Sequence, residues 1–179
     1  QTRQLQAQEK LEEKEEFLHE VDRRLRKGEY NVGFYLATCP PRGHDVPLSG
    51  VTAMLEVLCG VQEGDPPERV RALEPSLRAL GLLEEEVWAV LAQLGDPDAE
   101  IEGVHALRFA FVKTLMRLSE DRVHVFAWDD AHSIDAASLA LLGVAAKRLG
   151  GARVALLFAG RGESLVPSLS DLGEVEHVE

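Results

Sequence analysis

The chain has 179 residues, 45% of them hydrophobic and 28% charged, which suffices for one core of ordinary size and carries no low-complexity bias. A formal net charge of -12 argues against nucleic acid or an anionic membrane surface as the main partner, a local basic patch aside. Two cysteines, Cys39 and Cys59, are too few for a disulfide framework and lack metal-ligand spacing, which favours a reducing, cytoplasmic setting. No apolar run approaches a bilayer span, and the N-terminus is polar where a signal peptide carries its apolar core. Gln1 in place of an initiator Met suits a piece of a longer chain.

Residues 2–28 are dense in Gln, Glu, Lys, Arg and Leu, and Leu11, Leu18, Val21 and Leu25 follow helical spacing, with Gly28 as a C-terminal stop. Before Leu11 the apolar stripe is poor, so residues 1–14 read as a charged helical lead-in. Tyr30 to Thr38 reads as the first strand, and Cys39-Pro-Pro-Arg-Gly-His-Asp-Val-Pro47 is a loop leaving its carboxyl end. Leu48 to Leu58 reads as an apolar helix closed by Gly60. Helices then follow Gly64-Asp-Pro-Pro-Glu68: one over Val70 to Leu80, broken by Pro75, and one over Glu84 to Leu94, opened by glutamates that suit a helix N-terminus. Gly95 to Asp98 is a turn. Glu102 to Ser119 predicts a long helix, apolar over much of its circumference and therefore heavily buried, Phe109 and Met116 included.

Val123 to Trp128 is a short apolar run that ends on two adjacent carboxylates, Asp129 and Asp130. It reads as a buried strand with acids at its C-terminal tip, where open α/β sheets bind ligands. One acid there can hold a magnesium ion and the other can polarise a water; a polar strand end solvated in a loop is the plainer reading. A helix from about Asp135 to Leu149, stopped by Gly150-Gly151, leads to a second apolar strand, Arg153 to Ala159. Strand, helix, strand with short joints predicts a right-handed parallel crossover, so residues 153–160 should lie beside Val123 to Trp128. A weak last strand is expected near Val175 to Val178.

The run Val-Phe-Ala-Trp-Asp129-Asp130-Ala-His132-Ser-Ile-Asp135-Ala-Ala-Ser138-Leu-Ala-Leu-Leu, followed by Val154-Ala-Leu-Leu-Phe-Ala-Gly-Arg161, resembles the Walker B to sensor region of the AAA/STAND-type P-loop ATPase domain of bacterial multidomain regulators. Leu55 to Glu68 is similar to part of the helical insert that such domains carry, here about residues 61–100, and the resemblance covers roughly residues 15 to 165. It implies a three-layer α/β parallel-sheet P-loop NTPase-like fold over residues 15–179, incomplete, serving as an ATP-binding and hydrolysing switch in signal transduction. By position, the resemblance makes Asp129 a magnesium holder through water and Asp130 the acid that orients the attacking water. It also implies that His132 and Asp135 contact the nucleotide and that Arg161 faces the terminal phosphate. ATP and Mg2+ are the implied cofactors, and other domains of the same polypeptide or protein partners are the implied contacts, without membrane or nucleic acid.

Two features depart from the family pattern: Ser133 stands where the family usually has Trp, and no Gly-Lys pair occurs anywhere in the chain. A phosphate loop needs Gly-x-x-x-x-Gly-Lys-Ser/Thr between a strand and a helix, so the first strand and that loop are expected upstream of Gln1 or lost. The resemblance places the phosphate-loop strand between Arg153 to Ala159 and the last strand, leaving one edge of residues 153–160 open or filled by a neighbouring segment. The alternative function is a degenerate, non-catalytic α/β scaffold that binds protein partners. Ser133 or Ser138 with His132 and Asp135 holds the residue types of a hydrolase triad but no Gly-x-Ser-x-Gly elbow.

Overall fold

The computed structural model describes residues 18, 20, 21, 23–25, 31–99 and 104–160. In chain order the elements are β1 (Val32–Thr38), α1 (Ser49–Cys59), α2 (Pro67–Arg71), α3 (Glu74–Ala79), α4 (Glu84–Gln93), α5 (Val104–Leu118), β2 (Val123–Asp129), α6 (Ala136–Arg148) and β3 (Val154–Phe158). The three strands form one parallel sheet in the order β1-β2-β3, so the protein has an α/β fold with β2 in the middle. β3 lies beside β2 as its crossover position in the sequence requires. The expected strand at Val175 to Val178 lies outside the described residues, as does the lead-in over residues 1–14. Of the N-terminal helix, residues 18, 20, 21 and 23–25 are helical, with Leu18 buried and Arg23 and Arg24 exposed, the amphipathic order its spacing predicts.

Local chemistry explains where the helices begin and end. Gly60, left-handed at φ 67°, closes α1, and its N–H reaches the Glu56 carbonyl. The break expected at Pro75 is a division into α2 and α3, each with a proline in its first turn, where the missing N–H costs no intrahelical bond. At the start of α4 the buried Glu86 accepts the Leu83 N–H at 2.7 Å and the Lys113 ammonium at 2.9 Å, tying this helix to α5. In the turn after α4, Arg71 meets Asp96 with two nitrogens at 2.8 and 3.0 Å and reaches Asp98 at 2.6 Å, which holds the segment between α1 and α5 together.

The core lies against one face of the sheet. Ala37, Phe126 and Trp128 from the strands pack with Val51, Met54 and Leu55 of α1, Val87, Val90 and Leu91 of α4, Phe111 and Leu115 of α5, and Leu141, Leu142 and Ala145 of α6. α5 is less evenly buried than its composition predicts: Phe109 is 44% and Met116 45% exposed. The Arg148 guanidinium stands 4.6 Å above the Phe109 ring, a cation on an aromatic face that replaces burial against the core. Among the described residues no helix is long and apolar enough to cross a membrane.

His124 of β2 is buried, stacked on Tyr35 and Phe126 at ring separations of 5.6 and 6.1 Å. Its Nε2 accepts the Arg122 Nε–H at 3.2 Å, and its buried Nδ1 makes no hydrogen bond among the described residues. Burial, with Arg122 adding to it, holds the imidazole below its ordinary 6.5. The unfolded chain therefore takes up this proton first on acidification. The stability it contributes is complete above 6.5 and lost as pH falls below that value. The urea midpoint should drop between about pH 7 and 5, and His124→Leu should flatten that part of the profile.

Candidate functional site

The carboxyl ends of the three strands are tied side by side. The Cys39 N–H donates to the Asp129 carbonyl at 2.9 Å, the Ala159 N–H to the Trp128 carbonyl at 2.8 Å, and the Ala131 N–H to the Ala159 carbonyl at 2.8 Å. These bonds carry the loops after β1, β2 and β3 to one end of the sheet, the end at which parallel α/β sheets bind ligands. Asp129 is buried at the tip of β2, and its Oδ1 accepts the N–H of Asp130 at 2.6 Å. Asp130 follows in left-handed backbone at φ 50°, which turns the chain off the sheet into the short 3-10 turn Ala131–Ser133. The His132 Nδ1 stands 3.9 Å from the Asp130 Oδ1, both side chains about one third exposed.

Asp135 ends this loop and caps α6, its Oδ1 accepting the Ser138 N–H and its Oδ2 the Ser138 hydroxyl, at 2.8 and 2.6 Å. The same carboxylate crosses to the start of α1, where it takes the N–H of Leu48 at 2.8 Å, the hydroxyl of Ser49 at 3.1 Å and the N–H of Gly50 at 3.2 Å. Ser138 Oγ in turn accepts the Val51 N–H at 3.0 Å. Burial alone would push the Asp135 carboxyl up; the donors from Ser138, Leu48 and Gly50 outweigh it and hold the group below the ordinary carboxylate value. Four donors, together with the Ser49 hydroxyl hydrogen that this carboxylate shares with the nearer Gly43 carbonyl at 2.8 Å, fill the roughly four lone-pair directions of a carboxylate, so Asp135 is engaged in fixing the two loops rather than turned to a ligand.

Two glycines make the contact possible. A Cβ on Gly50 would lie 2.7 Å from Ile134 Cγ1, and the Gly50 carbonyl accepts the buried Trp128 Nε1–H at 2.8 Å. A Cβ on Gly43 would lie 2.9 Å from the Ser133 carbonyl oxygen and 2.8 Å from Ser49 Oγ. The backbone at Gly43 therefore packs directly on the backbone of the loop after β2, and the backbone at Gly50 on the Ile134 side chain of that loop.

Of the residues singled out from sequence, Asp129, Asp130 and His132 are gathered at the end of β2, Asp135 is turned inward, and Arg161 lies outside the described residues. Leu48, Ser49 and Gly50 are the residues that sequence reading missed, and Ser138, considered only for a hydrolase triad, serves instead in this network. An Asp three residues before Ser at the head of an apolar helix is an N-cap signal for Asp135; its reach to α1, 85 to 87 residues away, has no local signature. No group of three or more His, Cys, Asp and Glu side chains among the described residues could chelate an ion. A magnesium ion keeps several waters and takes one or two carboxylates beside phosphate oxygens, and Asp129 with Asp130 fits that donor set.

Asp135→Asn should lower folding stability by about 3 kcal/mol at neutral pH, since it weakens charged hydrogen bonds and leaves buried donors unmatched. The folded carboxyl lies below its unfolded value of 3.8, so its contribution is complete above that value and fades as pH falls through the folded one. The gap between parent and variant, measured by denaturant unfolding, should narrow below about pH 4.

No family model, curated protein or solved structure matches the chain.

Proposed function

We propose that the chain carries the magnesium and water side of the nucleotide site in an ATP-binding and hydrolysing regulatory domain of the AAA/STAND type. The observation that carries this reading is the position of two adjacent acids at the carboxyl end of the middle strand of a parallel sheet, the second set in a left-handed backbone. In this reading Asp129 holds magnesium through water, and bound magnesium neutralises charge on the phosphates. Asp130, partly exposed, orients the attacking water by accepting its hydrogen bond, with His132 beside it. Asp135 keeps the acid loop in place, and Arg161 is assigned to the terminal phosphate from the resemblance alone.

The strand order adds support. Trp128 turns its carbonyl towards β3 and Ala159 turns its N–H towards β2, so by backbone alternation Val154, Leu156 and Phe158 direct their N–H and C=O groups to the far side of β3. That side is where the resemblance puts the phosphate-loop strand. The output is a switch, in which nucleotide state alters contacts with neighbouring domains of the polypeptide or with protein partners.

One fact favours the second reading, a non-catalytic scaffold: the sequence contains no Gly-Lys pair, so it supplies no phosphate-loop lysine. The 179-residue chain should accordingly bind magnesium-ATP only weakly by calorimetry. Low-micromolar binding abolished by Asp129→Ala would mean that the chain builds a phosphate cradle of another kind. With a phosphate loop present on the same polypeptide, Asp130→Asn should slow hydrolysis about a hundredfold or more and spare nucleotide binding. Asp129→Ala should weaken the magnesium-dependent part of binding. Equal loss of binding in both variants, or full hydrolysis by Asp130→Asn, would favour the scaffold.

A further inference from the structure

β1 is hydrogen-bonded along one side only among the described residues, to β2. The Cys39 N–H points to β2, and backbone groups in a parallel strand alternate sides, so Ala37 and Tyr35 also face β2. Thr38, Leu36 and Phe34 therefore direct their N–H and C=O groups to the outer edge. Leu36 and Thr38 are also the β1 residues that line a groove of about 580 Å³, bounded across from them by Glu56 and Val57 of α1 and by Val61 and Glu63 behind it. A row of edge donors and acceptors beside a groove of this volume, lined by both apolar and acidic side chains, has the form of a site where a strand is added to a sheet.

The charge in the groove selects the occupant. Neither Glu56 nor Glu63 has a hydrogen bond or ion pair through its side chain among the described residues. Burial raises the Glu56 carboxyl, and the nearby carboxylates of Glu63 and Asp65 raise it further. Charges that merely protect a strand edge stand in water, whereas Glu56 is half-buried beside other acids. A cation entering the groove relieves both the burial and the repulsion. A second copy of the chain, with net charge -12, brings more negative charge instead.

We propose that the outer edge of β1 and the groove beside it bind an extended peptide segment carrying Lys or Arg, which pairs with β1 as an added strand and sets its cations against Glu56 and Glu63. This surface lies on the opposite edge of the sheet from β3 and does not depend on the nucleotide reading. The backbone bonds supply affinity, and the carboxylates supply the choice of a basic sequence.

The test is fluorescence anisotropy of the full 179-residue chain with a labelled peptide that alternates Val and Lys, against the same peptide with Glu for Lys. The Lys peptide should bind at least about tenfold more tightly, with the difference shrinking in high salt. Methylating one alternating set of its amides should abolish binding and methylating the other set should leave it, because only every second amide of an added strand faces β1. The double variant Glu56→Gln, Glu63→Gln should lose about tenfold in affinity while its thermal midpoint holds or rises, since the acids repel in the free chain. Absence of binding by the Lys peptide, equal binding of the two peptides, equal effects of the two methylation patterns, or an affinity unmoved by the double variant would each overturn the proposal. So would sedimentation showing a dimer that closes this edge and that the Lys peptide does not disperse.

Discussion

The Asp135 carboxylate is the interaction on which the arrangement of the sheet's carboxyl end depends. A helix N-cap ordinarily satisfies one or two donors of its own first turn. This one satisfies Ser138 twice and then three donors at the head of α1, so two helix starts share one charge. Both helix N-termini carry partial positive charge, and a single carboxylate between them is favoured by both dipoles. The balance is visible in the acidity of the group, which burial would raise and the shared donors lower. The loop from Asp130 to Asp135 is thereby fixed at its far end as firmly as β2 fixes it at the near end.

The helices and strands are legible in the sequence because each is marked by local chemistry: alternating or continuous apolar runs for the strands, Gly60 and Gly150-Gly151 as stops, prolines and glutamates as helix starts. The crossover from β2 through α6 to β3 is legible for the same reason, since a short parallel connection leaves little topological choice. The pairing of β1 with β2 is less so. β1 is separated from β2 by the five helices α1 to α5, and nothing in Val32–Thr38 itself names Val123–Asp129 as its neighbour. Within the site, the acids at the tip of β2 stand out because carboxylates rarely interrupt a buried apolar strand. Asp135 is different: the resemblance implies a ligand contact there while its place three residues before Ser138 suits a helix cap, and the three-dimensional approach of α1 shows its carboxylate engaged in the cap and in the bonds to α1. The exposure of Phe109 has a similar origin, because an apolar residue on a helix carries no mark of which neighbour, core or Arg148, will cover it.

β2 connects the two sides of the structure through the alternation of its backbone and side chains. Its even residues, His124, Phe126 and Trp128, turn their backbone groups to β3 and their side chains into the stacked aromatic layer with Tyr35 and Phe158. Its odd residues turn their backbone groups to β1 and end at Asp129, whose carbonyl takes the Cys39 N–H. Because side chains alternate with a period of two, Asp129 projects from the face opposite to Trp128. The Trp128 indole, through its bond to the Gly50 carbonyl, fixes the head of α1 on one face while the acid stands on the other. Moving the strand by one residue would exchange these roles and place a carboxylate in the aromatic layer, so the register of β2 and the position of its acid are one constraint.

The two non-glycine residues with positive φ among those described, Leu48 and Asp130, both belong to this end of the sheet. Asp tolerates the left-handed region because its short side chain can bond locally, but Leu has no such means, and the conformation costs it about 1 kcal/mol or somewhat more. The bond from the Leu48 N–H to the Asp135 carboxylate, charge-assisted and buried, contributes about 1.5 to 3 kcal/mol and is enough to hold it there. The left-handed turn at Leu48 is what aims the N–H groups of Leu48 and Gly50 at one point, and the turn at Asp130 is what brings the loop carrying Asp135 to that point. Strain of this kind persists where surrounding bonds over-determine the backbone. Here each of the two strained turns presents part of the bond that holds the other loop in place, so neither loop can relax to an ordinary conformation without releasing its partner.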